Sequence, residues 1–190
     1  MRVSAAHRTL PCHGEVVNGD AVVLRITPEG SLFSVVDGLG HGPIAAHAAG
    51  RATAYLASVS LASSAAVVMA GLHQALRGTR GAAGTVCLLH GVRLDACGVG
   101  NVELQSSIQR FSVVLNPGIL GVNVRTMRSF ECDVSVPVRV VIHSDGISRH
   151  FDLASRRKMD AESTSEAIMT QHRKPYDDSS IVVVDIETGR

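Results

Sequence analysis

Several acidic residues of this sequence lie at the ends of short apolar runs, where a β-sheet can gather side chains that are distant along the chain. Asp37 follows the run 33–36 and Asp145 follows residues 140–144, and a glycine comes directly after each. The acidic residues that share such a position are Asp20, Asp37, Asp145, Asp177 and Asp178. Carboxylates brought to one rim of a sheet repel one another unless a positive charge lies between them.

This set of donors favours a hard divalent cation. Carboxylate oxygens without His or Cys partners at a suitable spacing select Mg²⁺ or Mn²⁺ over zinc. A pair of such cations can share one carboxylate, lower the pKa of a water between them and orient that water towards phosphorus. A single Asp-Gly pair after a strand, however, is most often a turn. From these residues alone, a metal site and ordinary loop chemistry both remain open.

The elements that must position these residues follow from hydrophobic runs and turn residues. Two Val-rich runs separated by Pro28-Glu29-Gly30 predict a hairpin, and Pro43 opens an Ala-rich helix. The predicted strands are 21–26, 32–36, 85–90, 93–97, 101–105, 110–115, 127–134, 138–143 and 180–186, and two further helices are predicted at 64–76 and 161–172. Strands in hairpin succession, with helices in separate blocks, indicate an α+β layered fold in one domain over residues 1–190.

Composition excludes several classes of protein. A net charge of +1 argues against a nucleic-acid or anionic-membrane binder. The four cysteines form no C-x-x-C pair and no secretory pattern is present, so we expect a reducing, cytoplasmic setting. No charged residue lies between Arg51 and Arg77, but serines, His73 and Gln74 interrupt that stretch. We interpret it as two buried helices that meet near residues 63–64, where a serine can cap the second helix, rather than as a membrane span.

Four motifs, in order along nearly the whole chain, resemble the metal-dependent PPM (type 2C) serine/threonine phosphatases of the SpoIIE/RsbX branch. They are Asn18-Gly19-Asp20, Asp37-Gly38-Leu39-Gly40-His41-Gly42, Ser144-Asp145-Gly146-Ile147 and Asp177-Asp178-Ser179-Ser180. The segment Gly98-Val99-Gly100-Asn101-Val102 and the short length are most similar to the RsbX subgroup. The resemblance implies a four-layer α-β-β-α sandwich of two antiparallel sheets flanked by helices.

The resemblance also implies roles for individual residues. Two ions, Mn²⁺ or Mg²⁺, would be held. Asp37 would bridge both, the Gly38 carbonyl and Asp20 would bind the second, and Asp145 and Asp177 would bind the first. Asp178 matches a position that is Asn in many relatives, so it ranks behind Asp177 as a ligand.

Two departures from the family pattern concern catalysis. His41 lies four residues after Asp37, not two as in eukaryotic members. It is a candidate general acid, and a histidine that merely caps or hydrogen-bonds the glycine loop is an equally good interpretation. No arginine matches the phosphate-binding arginine of eukaryotic members, and Arg8 and Arg25 are guesses.

By similarity to RsbX, we expect a protein phosphatase that resets a stressosome, a bacterial partner-switching pathway. Its partners would be phosphorylated STAS-domain scaffold proteins, RsbS/RsbR-like, with neither nucleic acid nor membrane involved and a monomer as the simplest state. One alternative is a phosphatase of a phosphorylated anti-anti-sigma factor. Another is a non-catalytic binding module on the same fold.

Overall fold

The computed structural model describes residues 1–108 and 115–189, and within them the chain forms two large antiparallel sheets and three helices. The strands are β1 (Arg2–Leu10), β2 (Asp20–Thr27), β3 (Gly30–Gly38), β4 (Ala82–His90), β5 (Arg93–Val99), β6 (Glu103–Ser106), β7 (Gly118–Ile119), β8 (Asn123–Val124), β9 (Phe130–Asp133), β10 (Val138–His143) and β11 (Ser179–Glu187). The helices are α1 (Gly42–Ser58), α2 (Ala65–Ala75) and α3 (Ala161–His172).

The two sheets differ in how far apart in sequence their neighbours lie. One sheet has the strand order β2-β3-β4-β5-β9, which follows the chain, whereas the other has the order β1-β11-β10-β6 and joins distant segments. All pairings within both sheets are antiparallel. Strands β7 and β8 form a separate small hairpin.

Three buried clusters define four layers. The central cluster joins side chains of both sheets, for example Phe33 and Cys87 from one with Ile142 and Val184 from the other. Helices α1 and α2 pack on the outer face of the β2–β9 sheet. Helix α3 packs on the outer face of the other sheet. The predicted α+β class and four-layer α-β-β-α sandwich are therefore confirmed.

The uncharged stretch between Arg51 and Arg77 contains the end of α1 and all of α2. Alanines form the buried face of α1 and allow that helix to pack closely against the sheet. Helix α2 begins after Ser64, whose side-chain oxygen accepts a hydrogen bond from the Val67 amide, as predicted for a capping serine. Within the described residues, no helix is both long and apolar enough to cross a bilayer.

Most of the predicted elements are present, with a few differences. Strand β10 and helix α3 have the predicted bounds. Strand β9 is shorter than the predicted 127–134, and β6 begins at Glu103. The strand predicted at 110–115 falls almost entirely outside the described residues. Strand β1 was not predicted, because its residues RVSAAHRTL mix small and polar side chains without a clear apolar alternation.

Candidate metal centre

Asp20 and Asp37 face each other across the first hairpin. They are partners in the register of β2 and β3, because the turn at residues 28–29 fixes that register. Gly38 continues β3, and its amide donates to the Gly19 carbonyl at 3.1 Å. A side chain at Gly38 would collide with the carbonyl oxygens of Gly19 and Ala45, so only glycine permits this close approach. The hairpin thus brings two carboxylates to one rim of the sheet.

These two carboxyl groups lie in a poorly solvated place beside other carboxylates. Burial, opposed by the hydrogen bond from Ser144 and assisted by the charge of Asp178, raises the pKa of Asp20 to about 7. Burial also raises the pKa of Asp37 to about 9, together with the nearby charges of Asp20, Asp145 and Asp177. Both groups therefore tend to hold a proton where no cation is present.

Asp145 reaches the same rim from the second sheet, in the turn after β10. Its Oδ2 accepts a hydrogen bond from the Asn101 side-chain amide at 2.6 Å, and its backbone carbonyl accepts one from Lys174 Nζ at 2.6 Å. Gly146 comes next, and a Cβ at that position would overlap the Asp178 carbonyl oxygen. The glycine therefore lets the end of β10 lie directly against the start of β11.

Asp177 and Asp178 are neighbours in sequence but have different surroundings. Burial raises the pKa of Asp177, and the charge of Asp145 raises it further, so Asp177 faces the other carboxylates. Both oxygens of the buried Asp178 side chain accept backbone hydrogen bonds, Oδ1 from Cys12 at 2.8 Å and Oδ2 from Gly19 at 2.9 Å. Asp178 thereby ties the segment before β2 to the start of β11.

Asp20 is oriented by a side chain from the second sheet. Ser144 Oγ donates to Asp20 Oδ2 at 2.7 Å, and the same hydroxyl accepts from the Ser180 amide at 3.0 Å. Asp20 Oδ1 is buried and has no hydrogen-bond partner among the described residues. A buried carboxylate oxygen without a donor is unfavourable unless a cation supplies the missing contact.

The donor set fits divalent cations that prefer oxygen ligands. It consists of neighbouring carboxylates, a glycine-lined backbone and the Asp20 oxygen that lacks a hydrogen-bond partner among the described residues. Within residues 1–108 and 115–189, no three His, Cys, Asp or Glu side chains lie close enough together, as they stand, to coordinate a single metal ion. The carboxylates would therefore have to adjust their rotamers to coordinate a cation together.

His41 lies at the edge of this rim, as the N-cap residue of α1. Its Nδ1 is 2.7 Å from Glu15 Oε1, and its side chain is more than half exposed. It makes no side-chain capping hydrogen bond to the helix. The contact with Glu15 fixes one ring nitrogen and leaves Nε2 free of partners among the described residues.

The two arginines guessed for phosphate binding are elsewhere. Arg8 forms an ion pair with Glu162 on α3. Arg25 donates to the backbone carbonyls of Leu56 and Val59 at the end of α1, at 3.3 Å and 2.6 Å. Each has a structural partner away from the carboxylates.

Similar architectures occur among solved structures. A structure from work on the bacterial stressosome, described there as a modular system adapted to control secondary messenger signalling, superposes with a TM-score of 0.88 at 28% identity and covers 97% of this chain and 100% of its own. RsbX in complex with magnesium superposes at 0.84 with 18% identity, over 96% and 94%. The catalytic domain of the serine/threonine phosphatase PstP with two manganese ions superposes at 0.72 with 16% identity, over 98% and 99%.

This chain has the PP2C phosphatase fold. The identities to RsbX and PstP are too low to show more than the fold. No family model matches the chain, and no curated protein sequence does either. Two of these three structures hold divalent cations, magnesium in RsbX and manganese in PstP.

Residues that contact the rim of this PP2C fold include several to which the sequence analysis assigns no role of their own. Asn101 donates a hydrogen bond to the Asp145 carboxylate, and Ser144 donates one to the Asp20 carboxylate. Lys174 donates one to the Asp145 backbone carbonyl. The glycine-rich segment around Asn101 was noted for its resemblance to RsbX, but it gave no indication of a contact with Asp145. Only the pairing of strands brings these residues together.

Arg80 is a further residue that the sequence did not indicate. It precedes β4 and is exposed, and its guanidinium lies against Gly40 of the loop after Asp37. Arg80 Nη1 is 3.2 Å from the position that a Cβ would occupy on Gly40, whose φ is +86°. Arg80 forms no salt bridge or side-chain hydrogen bond within the described part of the chain. Its guanidinium therefore has no competing partner among the described residues and lies against the loop that follows Asp37.

Proposed function

We propose that this chain is a metal-dependent protein phosphatase that hydrolyses phosphoserine or phosphothreonine. One observation carries the proposal: Asp37 is paired with Asp20 across the hairpin, and burial, together with the charges of Asp20, Asp145 and Asp177, raises its pKa to about 9. Among the described residues, no Lys, Arg or His forms a salt bridge with any of the four. Such a cluster of carboxylates, which Lys174 offsets only in part, is best explained on a PP2C fold as a cation site.

Two ions, Mn²⁺ or Mg²⁺, would be held by Asp20, Asp37, Asp145, Asp177 and the Gly38 carbonyl. When bound, such a pair supplies an acidified water and neutralises the charge of a phosphoryl group. Asn101 and Ser144 would keep the carboxylates of Asp145 and Asp20 in place. We assign Asp178 a positioning role, because its two oxygens already accept backbone amides.

Arg80 is our candidate for binding the phosphoryl oxygens. An arginine offers a planar, permanently charged fork that matches phosphate geometry, and this one forms no competing ion pair with any residue that the structure describes. His41 is our candidate for protonating the leaving serine or threonine oxygen through Nε2, with Glu15 orienting the ring. Neither role needs a phosphorylated enzyme intermediate.

For the physiological substrate, we propose phosphorylated STAS-domain scaffold proteins of a stressosome, RsbS/RsbR-like. The structural likeness to RsbX and to a structure from work on the bacterial stressosome supports this choice. Dephosphorylation would then reset the signalling complex after stress. Nothing in the geometry favours the anti-anti-sigma alternative over this one, so direct incubation with both classes of phosphoprotein is needed to separate them.

The proposal is tested by hydrolysis of p-nitrophenyl phosphate. We expect activity with Mn²⁺, loss of it in EDTA and recovery in excess Mn²⁺. Asp37→Ala should lower kcat/KM by about 1000-fold or more, equivalent to about 4 kcal/mol of transition-state stabilisation. Asp133→Ala, which removes an exposed carboxylate on β9, is the matched control and should leave activity unchanged.

Activity that persists in EDTA or in Asp37→Ala would show that the assigned site is wrong. Calorimetric titration with Mn²⁺ tests the alternative of a non-catalytic binding module. A folded protein that binds no Mn²⁺ and hydrolyses nothing would be a non-catalytic binding module.

A further inference from the structure

Asp145 and Asp177, the two carboxylates that β10 and β11 bring to the rim, lie beyond the paired part of their strands. The register of β10 and β11 ends at the pair His143–Ile181, so both aspartates are outside it. The two carboxylates of the first hairpin, in contrast, face each other within the register of β2 and β3. Asp145 and Asp177 therefore need other contacts to keep their main chains at a fixed distance from each other.

Lys174 contacts the main chain beside both of these aspartates. It lies in the segment between α3 and β11, and its amide donates to the Gly146 carbonyl at 2.8 Å. Its ammonium donates to the Asp145 carbonyl at 2.6 Å. Its own carbonyl accepts the Asp177 amide at 3.2 Å. A single residue thus connects the turn after β10 to the segment that leads into β11.

The sequence after Lys174 favours a tight turn that leads to Asp177. Residues 174–177 read Lys-Pro-Tyr-Asp, and the hydrogen bond from the Asp177 amide to the Lys174 carbonyl is the one that defines a four-residue turn. Pro175 occupies the second position, where its fixed backbone angle suits such a turn. The position of Asp177 therefore follows from that of Lys174, which is bonded to the main chain at Asp145.

The Lys174 ammonium lies near the carboxylates without forming an ion pair with one of them. Burial and the charge of Asp145 raise the pKa of Asp177, and the Lys174 charge offsets part of that rise. Within the described part of the chain, Lys174 forms no salt bridge. Because its ammonium binds a carbonyl, it fixes the main chain and does not occupy the carboxylate oxygens that a cation would need.

We propose that Lys174 is a positioning residue that holds the main chains of Asp145 and Asp177 at the distance needed to coordinate one ion together. This inference rests on the proposed phosphatase function, which assigns both aspartates to the same ion. The two carboxylates can then adjust their rotamers around an ion while their main chains stay in place. Lys174 itself contacts neither the ion nor the phosphoryl group.

A positioning role and a purely electrostatic role predict opposite effects when the Lys174 side chain is removed. A positive charge beside the site repels a divalent cation, so the loss of charge alone would tighten metal binding. The loss of a contact that orients a metal ligand weakens metal binding instead. The sign of the change therefore decides between the two roles.

Calorimetric titration of the metal-free protein with Mn²⁺ measures this sign. Lys174→Met keeps a side chain of similar length and removes both the donor and the charge. We expect it to weaken one of the two Mn²⁺-binding phases by about 10- to 100-fold and to leave the other within about twofold of wild type. Lys174→Arg keeps a cationic donor and should recover part of the lost affinity.

Hydrolysis of p-nitrophenyl phosphate provides a second measurement. Lys174→Met should need about tenfold more Mn²⁺ for half-maximal activity, whereas its kcat at saturating Mn²⁺ should stay within about threefold of wild type. Lys158→Met is the matched control, because it removes the other lysine of the chain, which is exposed in the loop before α3. It should bind Mn²⁺ as the wild type does.

Circular dichroism in EDTA checks that the metal-free variants fold. If Lys174→Met does not fold, Lys174→Gln takes its place, because its neutral and shorter side chain also removes the charge-assisted bond to the Asp145 carbonyl. The same weakening of one Mn²⁺-binding phase is expected for it.

The outcomes separate this inference from the proposed function. If Lys174→Met binds both ions as tightly as the wild type, or more tightly, the positioning role is wrong and the phosphatase function stands. Unchanged Mn²⁺ binding with a lower kcat/KM at saturating Mn²⁺ would assign Lys174 to substrate contact and also overturn the positioning role. A wild-type protein that neither binds Mn²⁺ nor hydrolyses p-nitrophenyl phosphate would overturn the phosphatase function and this inference with it.

Discussion

Charged side chains lie at both ends of strands β10 and β11, but they form a salt bridge at only one of the two ends. At one end, the Arg139 guanidinium has partners for all five of its N–H groups. Its Nε and Nη2 donate to the Asp185 carboxylate at 2.6 Å and 2.7 Å, and the remaining donors go to Thr164 Oγ1 and to the carbonyls of Arg156 and Met159. At the other end, Asp145 and Asp177 lie beside further carboxylates and form no salt bridge within the described part of the chain, and Lys174 offsets their charge only in part.

The difference shows where this fold tolerates an energetic cost. A buried charge is normally paired and hydrogen-bonded, as Arg139 is, because burial without a partner is expensive. The carboxylate rim breaks that rule on the same two strands. We infer that the paired end serves stability and that the unpaired end is kept for a ligand that supplies positive charge.

The largest effect on stability is expected at the paired end. Arg139→Met should lower the free energy of unfolding by about 3 kcal/mol, because it leaves Asp185 without its partner in a largely buried place. Urea denaturation of the metal-free protein measures this loss. The double variant Arg139→Met, Asp185→Asn should recover part of it, and a loss below about 1 kcal/mol for the single variant would mean that the pair is not the stabilising feature we describe.

A second test asks whether Arg80 supplies positive charge at the unpaired end. Arg80→Ala should lower kcat/KM for p-nitrophenyl phosphate by about 10- to 100-fold, the usual value of a charge-assisted contact, and Arg80→Lys should recover part of the loss. Arg77→Ala, which removes another exposed arginine three residues earlier, should have little effect. Equal losses for Arg77→Ala and Arg80→Ala would reduce the role of Arg80 to general surface charge.

The smallest effect concerns the stability cost of the carboxylate rim itself. The pKa of Asp37 is raised from 3.8 to about 9, so in the metal-free protein the folded state holds a proton that the unfolded state releases above about pH 4. Stability must therefore fall as the pH rises from about 4 to 9. Asp37→Asn cannot ionise, and in EDTA it should raise the melting temperature at pH 8 by about 2–4 °C, or about 1 kcal/mol, with a smaller gain at pH 5.

Circular dichroism melts at the two pH values measure this gain. Asp133→Asn, which alters an exposed carboxylate, should melt as the wild type does. If Asp37→Asn melted below the wild type at pH 8, the rim would not be under electrostatic strain.

The sequence predicts the strand-end placement of the carboxylates well. Apolar runs, a proline-containing turn and glycines after Asp37 and Asp145 are local signals, and they place Asp20 opposite Asp37 once the hairpin forms. Helix α3 and strand β10 are likewise predicted with the observed bounds, because polar loops or glycines delimit their patterns. Local patterns therefore carry most of the fold.

Contacts between segments that are distant in sequence could not be predicted. The family resemblance ranks Asp178 behind Asp177, but the contacts that occupy the Asp178 oxygens, the amides of Cys12 and Gly19, have no signal in the sequence. Arg80 reaches Gly40 because α1 and α2 lead the chain away from the sheet and return it beside β3. These relations depend on tertiary packing and have no periodicity that a single sequence reveals.

The position of β11 has a consequence for protein synthesis. This strand lies between β1 and β10, and Asp178 at its start ties down Cys12 and Gly19, although about 160 residues separate them along the chain. Contacts of such long sequence separation form late, because they require a large loop to close. A ribosome-bound chain that lacks residues 177–187 therefore has neither a complete sheet nor a complete rim, and we expect catalysis to begin only after translation has passed them.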